Sequence, residues 1–152
     1  DRANESLHLL VELTAKARET AASTLAKSRR AEQQMADQLR ALDGYQREYR
    51  QTLQQQLRGA GMSPATLANF RGFLKSLETA IERAEANLGK YRAQVEQHQE
   101  AWRQAWRQVN ALETLLARRQ EQARLLAGRA EQRRTDELAG RTQRGAFSGA
   151  GF

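Results

Sequence analysis

The amino-acid sequence predicts an all-α protein, two long helices forming an antiparallel coiled-coil hairpin with the second helix longer than the first. Three observations carry this. An apolar stripe repeats every 3.5 residues from Phe70 to Leu116. Ala, Leu, Glu, Lys and Arg supply more than half of the 152 residues, the composition of long helices. One stretch alone, Gly59 to Pro64, spells a helix stop followed by a helix start.

The first helix is expected over about residues 5–58, after a frayed polar start at Asp1 to Ser6. Its seam steps through Leu7, Val11, Thr14, Arg18, Ala21, Leu25, Ser28, Glu32, Met35, Leu39, Leu42, Gln46, Tyr49 and Leu53. Thr14, Arg18, Ser28 and Glu32 are poor core residues. A one-residue slip would instead recruit Leu10, Ala17 and Ala31, so two registers stay open for the amino-terminal half.

The turn is expected at 59–63. Gly59 or Gly61 can take the left-handed conformation that closes a helix. Ser63 is a suitable N-cap, and Pro64 fits the first helical position, where its missing donor costs nothing. Met62 and Leu67 have the spacing of a hydrophobic staple.

The second helix is expected from Pro64 to about Gly140. Its stripe runs through Phe70, Leu74, Leu77, Ile81, Ala84, Leu88, Tyr91, Val95, His98, Trp102, Ala105, Val109, Leu112 and Leu116. Nearly seven unbroken heptads of alternating fours and threes keep one face toward a partner helix. A short turn makes the helices antiparallel neighbours, and at 1.5 Å per residue the hairpin is a rod roughly 100 Å long. Beyond about Arg118 the second helix has no expected partner within the chain. The expected organisation is therefore one coiled-coil domain over 1–141 and a flexible Gly/Ser-rich tail over 142–152.

Charge narrows the function. The net charge is +7, and the stretch from Arg103 to Arg144 holds 10 Arg against 5 acidic residues. That excess is either a docking surface for an acidic partner or a solvated helix face. Arg118, Arg119, Arg124, Arg129, Arg133 and Arg134 cluster on the overhang. Cysteine is absent, which fits a reducing cytosol without requiring it. The longest apolar cluster, Leu7 to Leu13, is broken by His8 and Glu12, so no transmembrane segment is expected.

No catalytic chemistry is legible. His8 and His98 have no metal-ligand spacing, and Gly59-Ala60-Gly61 is a helix stop rather than a phosphate cradle. Carboxylates alternate with Arg and Lys along helix faces, which reads as helix support. The chain is expected not to be an enzyme and to need no cofactor or metal. Two features exceed seam duty. Gln38, Leu42, Tyr45 and Tyr49 share a face of the first helix and are brought beside Phe73, Leu77 and Ala80 by antiparallel pairing. They form either an aromatic anchor for a partner or a wider local core under the loop. Trp102 and Trp106, four apart, read as a seam residue and its cover.

The run Leu42-Asp43-Gly44-Tyr45-Gln46-Arg47-Glu48-Tyr49-Arg50 and the segment Phe70-x-x-Phe73-Leu74-x-x-Leu77-Glu78-x-Ala80-Ile81 resemble the FliJ family of flagellar export proteins. Trp102-Arg103 and Glu131-Gln132-Arg133-Arg134-x-Asp136-Glu137 follow in the family's order and spacing. The resemblance covers about residues 7 to 141. The sequence departs from it at Ala84 and in its Gly-Ala-Phe-Ser-Gly-Ala-Gly-Phe tail.

The resemblance implies an antiparallel coiled coil similar to the central stalk of rotary ATPases, acting in the flagellar type III export apparatus. It implies insertion of the termini-bearing end into the hexameric flagellar export ATPase, and contacts with a membrane export gate protein and with export chaperones. The implied location is cytoplasmic, peripheral to the inner face of the cell membrane at the flagellar base. Carried onto this chain, the family's gate-contacting patch falls on Gln38, Leu42, Tyr45, Tyr49, Phe73, Leu77 and Ala80. The six overhang arginines are the expected ring contacts. Alternatives are the equivalent stalk of a virulence type III secretion system, a basic coiled coil binding nucleic acid or anionic membrane, and a self-associating structural coil. Nucleic acid is not expected as a partner under the export reading.

Overall fold

The computed structural model describes the backbone of residues 2–149 and the side chains of residues 2–146. These residues form two helices, α1 (Arg2–Arg58) and α2 (Pro64–Gly149), and no strand occurs among them. Helix α1 starts three residues before the expected position. Arg2 to Ser6 are helical rather than frayed, with Glu5 in the first turn complementing the positive end of the helix dipole.

The turn forms as its residues dictate. The Gly59 amide donates to the Gln55 carbonyl (3.1 Å), and the Gly61 amide donates to the Gln56 carbonyl (3.2 Å). Gly61 takes a φ of 81°, the left-handed region that side chains disfavour. Ser63 then caps α2: its Oγ accepts from the Thr66 amide (3.2 Å), and its carbonyl accepts from the Leu67 amide (3.0 Å). Met62 and Leu67 are both half-buried, as a hydrophobic staple across this cap requires.

The chain divides into two compact units, one of residues 16–106 and one of residues 1–15 with 107–152. No Gly or Pro marks either crossing point, and a single domain over 1–141 is what the sequence predicts. The 16–106 unit is an antiparallel hairpin carrying the turn. Leu25, Leu77, Ile81, Ala84 and Leu88 are its buried core. In the other unit Leu7 is buried and Val109 is fully enclosed, at 0% exposure.

Every expected seam residue of both helices, from Leu7 to Leu53 and from Phe70 to Leu116, is buried or half-buried. Of the residues that the slipped register would have used, Leu10 and Ala17 are exposed and Ala31 is half-buried. The pattern that begins at Leu7 is covered along the whole of α1, with Ala31 beside it at the seam's edge. Three of its four poor core residues, Thr14, Arg18 and Glu32, are individually accommodated. The Thr14 hydroxyl donates back to the Leu10 carbonyl (2.8 Å) and lies 3.1 Å from that of Val11. The Arg18 guanidinium lies 4.8 Å from the centre of the Trp106 ring, and Glu32 pairs with Arg92 at 3.7 Å.

The carboxyl end departs from expectation. Helix α2 continues through Gly140 to Gly149 rather than giving way to a flexible tail at Thr142. Gly140 and Gly145 each weaken a helix by about 1 kcal/mol relative to Ala, but neither blocks it as Pro would. The Thr142 hydroxyl donates to the Leu138 carbonyl (2.9 Å) without interrupting the helix. Residues 150–152 of the expected tail lie outside the described residues, as does the Phe147 side chain.

Candidate docking surfaces

Near the turn, the hairpin unit presents an aromatic cluster. The Tyr49 ring lies 4.9 Å from that of Phe70 and 4.4 Å from that of Phe73, both tilted by about 40° to it. Tyr49 and Phe70 are half-buried seam residues, so they fix the cluster to the core. Phe73 (45% exposed) and Tyr45 (59% exposed) stand out from it. Gln38 is exposed, and Leu42 and Ala80 are half-buried. These side chains recur at one-turn intervals and give each helix a continuous face.

Leu77 does not belong to that accessible surface. It is 8% exposed, a core residue beneath the face rather than a contact on it. Its seam register already places it inward, and that outweighs its spacing from Phe73. Phe70 is the member that reasoning on the patch left out. It sits on the stripe opposite Tyr49, and the antiparallel register is the signal that finds it.

Farther along the same unit, Trp102 and Trp106 meet edge to face with centroids 6.3 Å apart, and Arg18 covers the second ring. This places the half-exposed Trp106 in a cover over the seam. Arg18, awkward as a core residue, is explained by the tryptophan across from it.

The second surface lies in the other unit. Every side chain from Ala117 to Ala139 on α2 is exposed, on all faces of the helix. Arg118, Arg119, Arg124, Arg129, Arg133 and Arg134 are all on it. At roughly 100° per residue, Arg118, Arg119, Arg129 and Arg133 fall within an arc of about 100°. Arg124 lies on the opposite side, where it grips Glu121 through two hydrogen bonds of 2.7 and 3.1 Å. That contact holds the Glu121 carboxyl below the usual glutamate range and raises the Arg124 guanidinium. Arg134 stands apart from the arc by a further part-turn. The six arginines thus resolve into one basic face of four, one spent cation and one outlier.

Among the described residues no group of His, Asp or Glu is arranged to hold a metal ion, and no helix is long and apolar enough to cross a membrane.

The sequence is similar to known proteins over nearly its whole length. The family model described as "Flagellar FliJ protein" matches residues 4–146. The chain is 33% identical over 136 residues to the flagellar FliJ protein of Salmonella typhi, covering 90% of this chain and 92% of that one. The flagellar FliJ protein of Escherichia coli (strain K12) matches with the same identity and coverage.

Proposed function

The chain belongs to the flagellar FliJ family, and from that premise we propose that it is a non-enzymatic, stalk-like component of the flagellar type III export apparatus. In this reading the carboxyl-terminal stretch of α2 enters the pore of the hexameric export ATPase and promotes the ring's assembly and turnover. The aromatic face near the turn binds the membrane export gate protein through Gln38, Leu42, Tyr45, Tyr49, Phe73 and Ala80, with Leu77 supporting them from the core. Export chaperones dock on the same chain. The protein works in the cytoplasm, peripheral to the inner face of the cell membrane at the flagellar base, and uses no cofactor.

The observation that carries this reading is the uncovered stretch from Ala117 to Ala139. Helix stability in proteins comes mostly from packing one face against a partner. A helix exposed on all sides, bearing a basic arc, is suited to entering a surrounding site of opposite charge. Insertion into a ring pore would supply contacts on every face, as a single flat interface would not. Arg118, Arg119, Arg129 and Arg133 are the proposed principal ring contacts. Arg124 and Arg134 contribute less, the first because its charge is already committed to Glu121.

The test is ATP hydrolysis by the purified cognate export ATPase, titrated with this chain. Saturable stimulation, accompanied by ring assembly, is expected. No change in hydrolysis or in assembly at any ratio would overturn the stalk assignment.

A further inference from the structure

Beyond Leu116 the 3.5-residue stripe of α2 does not end; its cover does. Continuing the same alternation places Leu116, Ala123, Leu126 and Ala130 on one line, with Arg119, Arg133 and Glu137 as its polar stops. Leu126 is 61% exposed, and a shallow groove beside it is lined by Gln122, Leu125 and Arg129. Arg119 and Glu137 have no ion-pair partner among the described residues.

We propose that this face is an interface for a second copy of the same chain, the two α2 segments pairing antiparallel about a two-fold axis beside Gly128. The occupant follows from register and charge. In an antiparallel coil each a-type layer faces a d-type layer of the partner helix. The symmetric register that satisfies this sets Leu126 on Ala130, Ala123 on Arg133, and Arg119 on Glu137 of the second copy. Each large or charged side chain meets either a small one or an opposite charge. A parallel in-register pair would set Arg119, Arg133 and Glu137 each against its own like charge. A shift of one heptad puts Leu126 against Glu137 in one direction and Leu116 against Arg133 in the other. The register centred near Gly128 sets Leu116 on Gly140 and Leu126 on Ala130 while pairing Arg119 with Glu137, and it continues the intramolecular seam in phase. This inference goes beyond the stalk reading and competes with it in use. Arg119 and Arg133 belong to the proposed ring-contacting arc, so a paired copy is not free to enter a ring.

The test is site-directed crosslinking of this 152-residue chain, whose sequence contains no cysteine. Leu126→Cys and Ala130→Cys variants are prepared separately, mixed and mildly oxidised. The mixture is expected to form a disulfide-linked dimer about tenfold faster than either variant alone, because only the mixed pair brings Cβ atoms within bonding range. Faster linking of the Leu126→Cys variant to itself indicates a parallel pair and overturns the proposal. Absence of crosslinking at all concentrations also overturns it, and leaves the ATPase reading untouched. In sedimentation, R119E and E137R are each expected to lower the dimer fraction and R119E/E137R to restore it. Failure of the double variant to restore it would refute the register.

Discussion

At the residue scale, tyrosines four positions apart have different duties. Tyr49 packs against two phenylalanine rings from a half-buried seam position, whereas Tyr45 is mostly exposed. Tyr49→Ala is expected to destabilise the chain by about 1–3 kcal/mol in urea unfolding, through lost ring contacts and a partial cavity. Tyr45→Ala is expected to change stability by no more than about 0.5 kcal/mol, as an exposed substitution, while weakening gate binding. Equal destabilisation by the two would contradict the division between core and surface. Glu121 supplies a pH test. Its folded carboxyl is held below its ordinary value by Arg124, so this contact contributes above the unfolded glutamate's range and is lost as pH falls through the lowered value. A carboxylate NMR titration should show Glu121 titrating at lower pH than in the Arg124→Ala variant; identical midpoints would remove the contact from the account. Arg18 shows how far single residues were readable. It is an evident misfit in a seam, yet its partner becomes visible only when the register sets it beside Trp106.

At the scale of elements, the turn and the seam were legible because their signals are local or periodic. Gly61, Ser63 and Pro64 each have one conformational use, and the structure uses each of them so. Gly61→Ala places a Cβ at a left-handed position and is expected to cost about 1–2 kcal/mol, measured by thermal unfolding. An unchanged transition would mean the turn is set by packing instead. The seam was legible residue by residue because a 3.5-residue repeat admits one face. Leu10 and Ala17 lost to that face because their register does not extend to Leu25 and Met35. The end of α2 was not legible. The Gly/Ser-rich composition after Gly140 suggested a tail, but a glycine ends a helix only where the backbone turns, and no proline follows to stop it. Leu77 carried two readings. The family resemblance included it in a partner-binding patch, while its membership of the stripe put it in the core, and burial follows the stripe.

At the scale of the whole molecule, the division into two units has no marker in composition, because the helices cross both boundaries without Gly or Pro. Sequence pattern reports local periodicity and carries little about where packing between distant segments is denser. The difference in cover along α2 should be measurable. In native-state hydrogen exchange of the dilute protein, amides from Ala117 to Ala139 are expected to exchange at least about tenfold faster than those from Leu77 to Leu88, because no packed face opposes their opening. Uniform protection would show that the uncovered stretch is held by something other than a partner. The basic arc and the aromatic face belong to different units, so the proposed export role requires their functions to separate. The most direct test is ATP hydrolysis by the cognate export ATPase with two variants, R118E/R129E/R133E and Y45A/F73A. The first is expected to lose stimulation and the second to stimulate as the unmodified chain does. Stimulation retained by the first variant, or lost by the second, would contradict a stalk that engages its ring through the basic end of α2.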